Sequence, residues 1–369
     1  MKRFVVASAL SICFAPVLLA QAGSSGPYTV LKSARVGGEG GSDYIYADVD
    51  GRRLYIPRGG SRAVAATDST AAKPAVSGRI TVFDLETLAP LGELPGTGGN
   101  GVAVDPKSGH GFSSSKPVSM FDTKTLSLIK TIDVGAAQPD GILFDSFNDR
   151  VYVFSHPTKD ATVIDSRDGT VLGTIDLGGV PEQGVADGKG TLYVVMQDAA
   201  GSVTVVDTKA MKATAHYPLG DIGRCNGLAL DVRNHVLFAA CAVSGNPPAQ
   251  PPQPMMVILN ADHGNILANL PLAGGSDGAV FNPATMEAFS THSNGTMTVV
   301  AERSPTSFEV TQNLQTMMGA RTLTLDTKTN RILTMSVERG PAPPPPPGGG
   351  RGGFPPAIPG SFTILLIGK

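Results

Sequence analysis

Seven polar residues recur at one place in a repeated frame of this chain: Asp43, Asn100, Asp140, Gln183, Asn226, Asp277 and Arg321. Each stands five residues (four for Gln183) before an Asp or Asn, namely Asp48, Asp105, Asp145, Asp187, Asp231, Asn282 and Asp326. If the fold gathers the seven, they form a ring of carboxylates and amides. Such a ring is rich in oxygen donors and suits a hard cation such as Ca2+, or a small polar ligand. Asp43, Asp140 and Asp277 are the candidate metal ligands, drawn from the first, third and sixth repeats. Arg321 can pair with an acidic member or hold an anionic group of a ligand. Arg58, His156 and His292, near the ends of second strands, complete the candidate ligand-binding set. The competing reading is structural: such residues also satisfy turn backbone groups or bind channel water.

The elements that must position these residues are short strands. Residues 138–178 show the unit most plainly. Gly141 to Phe144, Arg150 to Ser155, Ala161 to Ile164 and Val171 to Asp176 read as strands, separated by SFND, HPTKD and DSRDG and followed by GGVP. All four separators favour turns. The Asp or Asn markers are spaced by 57, 40, 42, 44, 51 and 44 residues. A large apolar residue follows each marker: Tyr55, Phe112, Tyr152, Tyr193, Phe238, Phe289 and Leu333. Four strands at a period near forty are the signature of propeller blades. The fold expected is all-β: a seven-bladed β-propeller of four-stranded antiparallel blades. First strands mix in small residues (GVAV, GILF, GLAL, GAVF), as a crowded axis requires.

The two ends of the chain complement each other. Residues 28–38 resemble a lone fourth strand, while the last repeat has only three. The N-terminal strand is therefore expected to complete the C-terminal blade, closing the ring and removing two free sheet edges.

With this repeat in view, residues 148–178 resemble the YVTN-type repeat of bacterial propeller proteins; GTLYVV at 190–195 and RLYIP at 53–57 match more loosely. The intact tetrapeptide does not occur. The resemblance spans the mature chain and implies an exported seven-bladed propeller, with little to say about activity.

Residues 1–22 have the layout of a secretory signal: Lys2 and Arg3, an apolar run, then Ala20-Gln21-Ala22. The expected location is periplasmic or secreted, with no transmembrane segment once the signal is cleaved. The whole chain carries a formal charge of −2, so loss of Lys2 and Arg3 leaves −4 and no basic stripe for nucleic acid. Cys13 leaves with the signal. Cys225 and Cys241 then flank one hairpin at positions that face each other, and a disulfide is expected in an oxidising compartment. Residues 23–369 read as one domain, and as a monomer.

Three insertions break the period, at 59–78, 243–254 and 339–360. All fall between second and third strands, so all should decorate the face that carries the ring. The last two are rich in proline and glycine, which favours extended segments and hinges. They are surface loops, or a lid or docking segment for an envelope protein, with Phe354 as the anchor.

Two functions fit. One is a binding scaffold that uses the channel mouth and the proline-rich loops. The other is a metal-dependent hydrolase acting on lactones, by analogy with gluconolactonase-like propellers. The first is preferred, because no Gly-x-Ser-x-Gly, His-Glu-x-x-His, haem-attachment motif or phosphate loop is present.

Overall fold

The computed structural model describes residues 26–61, 63, 66, 72, 74–135, 138–198, 200–220, 222–242, 253–342 and 355–369. Among these residues every regular element is a strand, and the strands form seven four-stranded antiparallel sheets. Six blades follow the chain without crossover, at 46–95, 102–132, 139–176, 181–218, 225–271 and 276–315. The seventh combines Leu323–Asp326, Arg331–Ser336 and Thr363–Gly368 with Thr29–Arg35, which pairs antiparallel to Thr363–Gly368. The expected fold and its closure are both observed.

Why the chain adopts this form follows from strand alternation. In each blade, successive residues of the middle strands point to opposite faces, and both faces are apolar. In Arg53–Arg58, Leu54 and Ile56 pack against Leu333, Met335 and Ile364 of the seventh blade, whereas Tyr55 packs against Val102, Val104 and Phe121 of the second. Seven buried clusters result among the described residues, one at each blade–blade boundary. The core grows by repetition, and no blade can bury both faces alone.

The marker residues are turn caps. A side-chain oxygen of Asp48, Asp105, Asp145, Asp187, Asp231, Asn282 or Asp326 accepts from a backbone N–H two or three residues on, at 2.7–3.1 Å. The regularity that revealed the repeat thus reports on hairpin chemistry at the end of the blades remote from the ring. Cys225 and Cys241 are register partners and form a disulfide. The described parts of the insertions leave from second strands: the first begins beyond Arg58, where Gly59 N donates to Gly41 O at 2.7 Å. Phe354 and most of the proline-rich stretches lie outside the described residues.

Closure is reinforced by Tyr28, which is buried and precedes the N-terminal strand. Its hydroxyl donates to Glu287, its N–H donates to Gln312 Oε1 at 3.0 Å, and Gln312 Nε2 donates back to Tyr28 O at 2.8 Å. Its ring meets Phe289 edge-on at 5.2 Å. These partners belong to the sixth blade, so the N-terminal segment is fixed to two blades at once. Tyr28→Ala is expected to lower unfolding free energy by about 3–5 kcal/mol, as for a buried aromatic removed from a packed site. Urea denaturation of the purified variant would check this.

Candidate functional site

The ring residues sit where the innermost strands begin. Asp140, Asn226 and Asp277 are second in Pro139–Asp145, Cys225–Asp231 and Ser276–Asn282. Asp43, Asn100 and Arg321 precede their inner strands by two or three residues. In blades three to six the pairing register shifts at this point, between Pro139 and Ile142, Pro181 and Gly184, Cys225 and Gly227, and Ser276 and Ala279. A bulge of this kind re-aims the local side chain. It turns the ring residue out of the sheet and towards the axis.

A glycine follows the ring residue in several blades because inner strands crowd there. A Cβ on Gly227 would lie 2.6 Å from the backbone of Gly278, and one on Gly141 would lie 2.8 Å from Glu182 O. In the fourth blade the equivalent position is Gln183. Its side chain runs across the axis, with Nε2 donating to Ala279 O at 2.9 Å and Oε1 accepting from the N–H groups of Leu228 and Ala279 at 3.1 Å. Gln183 is thus a cross-brace joining blades four, five and six. The true ring member of the fourth blade is Glu182. A constant five-residue offset from Asp187 would have found it.

The mouth resolves into two linked clusters. In one, Arg321 lies between Asp277 at 2.7 Å and Asp43 at 3.2 Å, and Asn226 Nδ2 donates to Asp277 Oδ1 at 2.6 Å. In the other, His156 Nε2 lies 2.9 Å from Asp140 Oδ2 and 3.5 Å from Glu182 Oε1. Asn100 Nδ2 donates to Asp140 Oδ1 at 2.6 Å, and the Tyr44 hydroxyl donates to Glu182 Oε2 at 2.9 Å. The Gln197 amide donates to Glu182 Oε1 and lies 3.3 Å from His156 Nε2. Tyr44 and Gln197 lie outside the seven ring positions of the repeat. Gln197 follows its second strand as His156 follows its own, a repeat-level signal; Tyr44 carries no periodic signal.

Of the three proposed metal ligands, Asp140 therefore stands with His156 and Glu182, whose ligand atoms lie within 4.8 Å of one another. Asp43 and Asp277 flank a guanidinium instead. Ring members of the first, sixth and seventh blades nevertheless meet, as expected of a common mouth.

Burial and charge shape the site's acidity. Glu182 is pushed up to about 8, first by desolvation and then by the charge of Asp140. Asp43 is raised to about 6 by burial, which outweighs the opposing pull of Arg321. The hydrogen bond that His156 donates to the Asp140 carboxylate raises the imidazole above its ordinary value. Two cavities open beside the ring. One, of about 540 Å³, is lined by Asp43, Arg321, Ser336 and Arg339 among others; the second, of about 250 Å³, includes Asn100, Lys116, Asp140 and His156. Arg339 opens the third insertion, which places that loop's base on this face.

Arg58 and His292 are not at the mouth. Each is the last residue of its second strand, whereas His156 lies one position beyond Arg150–Ser155. One residue reverses the direction of a strand side chain. Arg58 is 1% exposed, stacks 3.6 Å over the Phe362 ring, and donates to Gly38 O and Gly40 O at 3.1–3.2 Å. It holds the segment that carries Asp43, so its effect on the mouth is indirect. His292 is fully buried, with Nε2 3.0 Å from Thr298 Oγ1.

No family model matches the chain, and no curated protein matches it in sequence. Among solved structures, a chain of the Kuenenia stuttgartiensis hydrazine synthase is similar with a TM-score of 0.65 and 15% identity, covering 79% of this chain and 91% of that one. A chain of the mitotic checkpoint complex is similar with a TM-score of 0.66 and 10% identity, covering 90% and 96%. These likenesses show the fold: the protein is a seven-bladed β-propeller with a polar mouth.

The buried His292 has a measurable consequence. Burial lowers it from 6.5 to about 4, so on acidification the unfolded chain takes up the proton first. Its contribution is present above about pH 6.5 and is lost as pH falls through about 4. Relative to His292→Leu, the natural protein is expected to lose roughly 2–3 kcal/mol more stability between pH 7 and pH 4.5. Parallel denaturant titrations at the two pH values measure the difference.

Proposed function

We propose that the protein is an exported binding propeller that holds a small, positively charged polar ligand at its channel mouth. The observation that carries this reading is the charge balance. Asp43, Asp140, Glu182 and Asp277 converge on one opening, against Arg321 and His156. Burial first, and then the neighbouring carboxylates, make Glu182 and Asp43 weaker acids than usual, as expected of crowded carboxyl groups in a partly dry site. A bound cation relieves it. Cavities of this size accommodate a small molecule, and Arg339, at the base of the third insertion, lines the larger one, on the face where an envelope protein would dock. Export is supported by the signal-like residues 1–22, by the Cys225–Cys241 disulfide and by the YVTN-type resemblance. Among the described residues no helix is long and apolar enough to cross a membrane.

A second reading, a metal-dependent hydrolase acting on lactones, draws on the same place. A carboxyl near neutrality beside an imidazole can move protons. Turnover of a lactone panel, lost in Glu182→Gln, would favour it over simple binding.

Thermal-shift measurements with small organic cations (polyamines, basic amino acids, quaternary ammonium compounds), neutral sugars and carboxylates test the main reading. Cations are expected to stabilise the protein, by about 2.7 kcal/mol at a hundredfold excess over Kd. The double variant Asp43→Asn/Asp277→Asn is expected to lose this response and, with Arg321 unpaired, to respond to carboxylates. Stabilisation by anions alone in the natural protein would contradict the reading.

A further inference from the structure

We infer that Asp140, His156 and Glu182 form a site for a single first-row transition-metal dication of the Zn2+ or Mn2+ kind. This deepens the binding reading above and shares its mouth, but it rests on a separate observation, the convergence of three ligand atoms. His156 Nε2 faces Asp140 Oδ2 at 2.9 Å and Glu182 Oε1 at 3.5 Å, and all three atoms lie within 4.8 Å of one another. Tetrahedral bonds of about 2.0–2.2 Å require ligand atoms about 3.4 Å apart. Small rotations of the carboxylates supply that geometry.

The surroundings fit an ion better than a plain ion pair. Each carboxylate has its far oxygen held by a neutral donor from a different blade, Asn100 on Asp140 and Tyr44 on Glu182. Each near oxygen faces the same imidazole nitrogen, and that of Glu182 also accepts from the Gln197 amide. Outer hydrogen bonds of this kind orient metal ligands before the metal arrives. Both carboxylates are themselves buried, whereas His156 is half-buried beside a cavity and leaves a route of access. The Gln197 amide closes the fourth side; exchanging its nitrogen and oxygen by a flip would present an additional oxygen ligand.

The donor set also selects the ion. An imidazole with two carboxylates suits Zn2+, Mn2+ or Fe2+. Ca2+ seeks six to eight oxygens, which this corner does not supply. The site is built from the same positions of two adjacent repeats: Asp140 and Glu182 are both second in an inner strand, and His156 and Gln197 both follow a second strand. A change at either position, in either blade, dismantles the set.

The test is isothermal titration of the EDTA-treated mature chain with ZnCl2, MnCl2 and CaCl2. One equivalent of Zn2+ or Mn2+ is expected to bind, at least tenfold more tightly than Ca2+. His156→Gln and Glu182→Gln should each weaken binding at least tenfold while keeping the metal-free melting temperature within a few degrees. His235→Ala, which removes a surface histidine paired with Asp262, should leave binding unchanged. Absence of binding, tighter Ca2+ binding, or equal affinity in His156→Gln would overturn the inference. Organic cations that stabilise a protein unable to bind these metals would leave the binding reading standing and remove the metal site. Metal binding without any response to organic cations would do the reverse.

Discussion

The constraint on which this protein depends is that each of its sheets has two apolar faces and only one way to cover both. Strand alternation sends Leu54 and Ile56 one way and Tyr55 the other, into different neighbours. A row of such sheets has uncovered ends, and a ring has none. Joining Thr29–Arg35 to Thr363–Gly368 makes the ring hold through hydrogen bonds between the two ends of the chain. Tyr28 then ties the joint to the sixth blade as well.

Closure has a chemical by-product. Seven inner strands start around one axis, and bulges at four of them turn polar side chains inward. The spacing is close enough that residues from distant blades touch. Tyr44 of the first repeat reaches Glu182 of the fourth, and Gln183 of the fourth reaches Ala279 of the sixth. The mouth is therefore a property of the assembled ring, with every carboxylate held by a donor from another blade. Buried polar groups tolerate such a place only when partnered.

The fold was legible in the sequence because its signals are local and repeated. The Asp or Asn markers cap turns, and the large residues that follow fill blade boundaries; both requirements recur seven times. The pairing of Cys225 with Cys241 was legible for the same reason, being a matter of hairpin register. The site was less so. Gln183 has the sequence appearance of a ring member but stands at a glycine position, and the four-residue offset there conceals Glu182. Arg58 and His292 look equivalent to His156 in sequence, yet one residue of register separates them from it, and that residue decides between core and mouth. Tyr44 could not be found by any period, since its role comes from reaching across the ring.

Opposite blades meet at the mouth, and the Tyr44–Glu182 contact is the most demanding instance, because it joins the first repeat to the fourth. A double-mutant cycle on stability with Tyr44→Phe and Glu182→Gln measures it directly. Coupling of at least about 0.5 kcal/mol is predicted, as for groups in direct contact. Additivity within about 0.3 kcal/mol would mean that the two side chains do not meet, and that the mouth is not assembled as described.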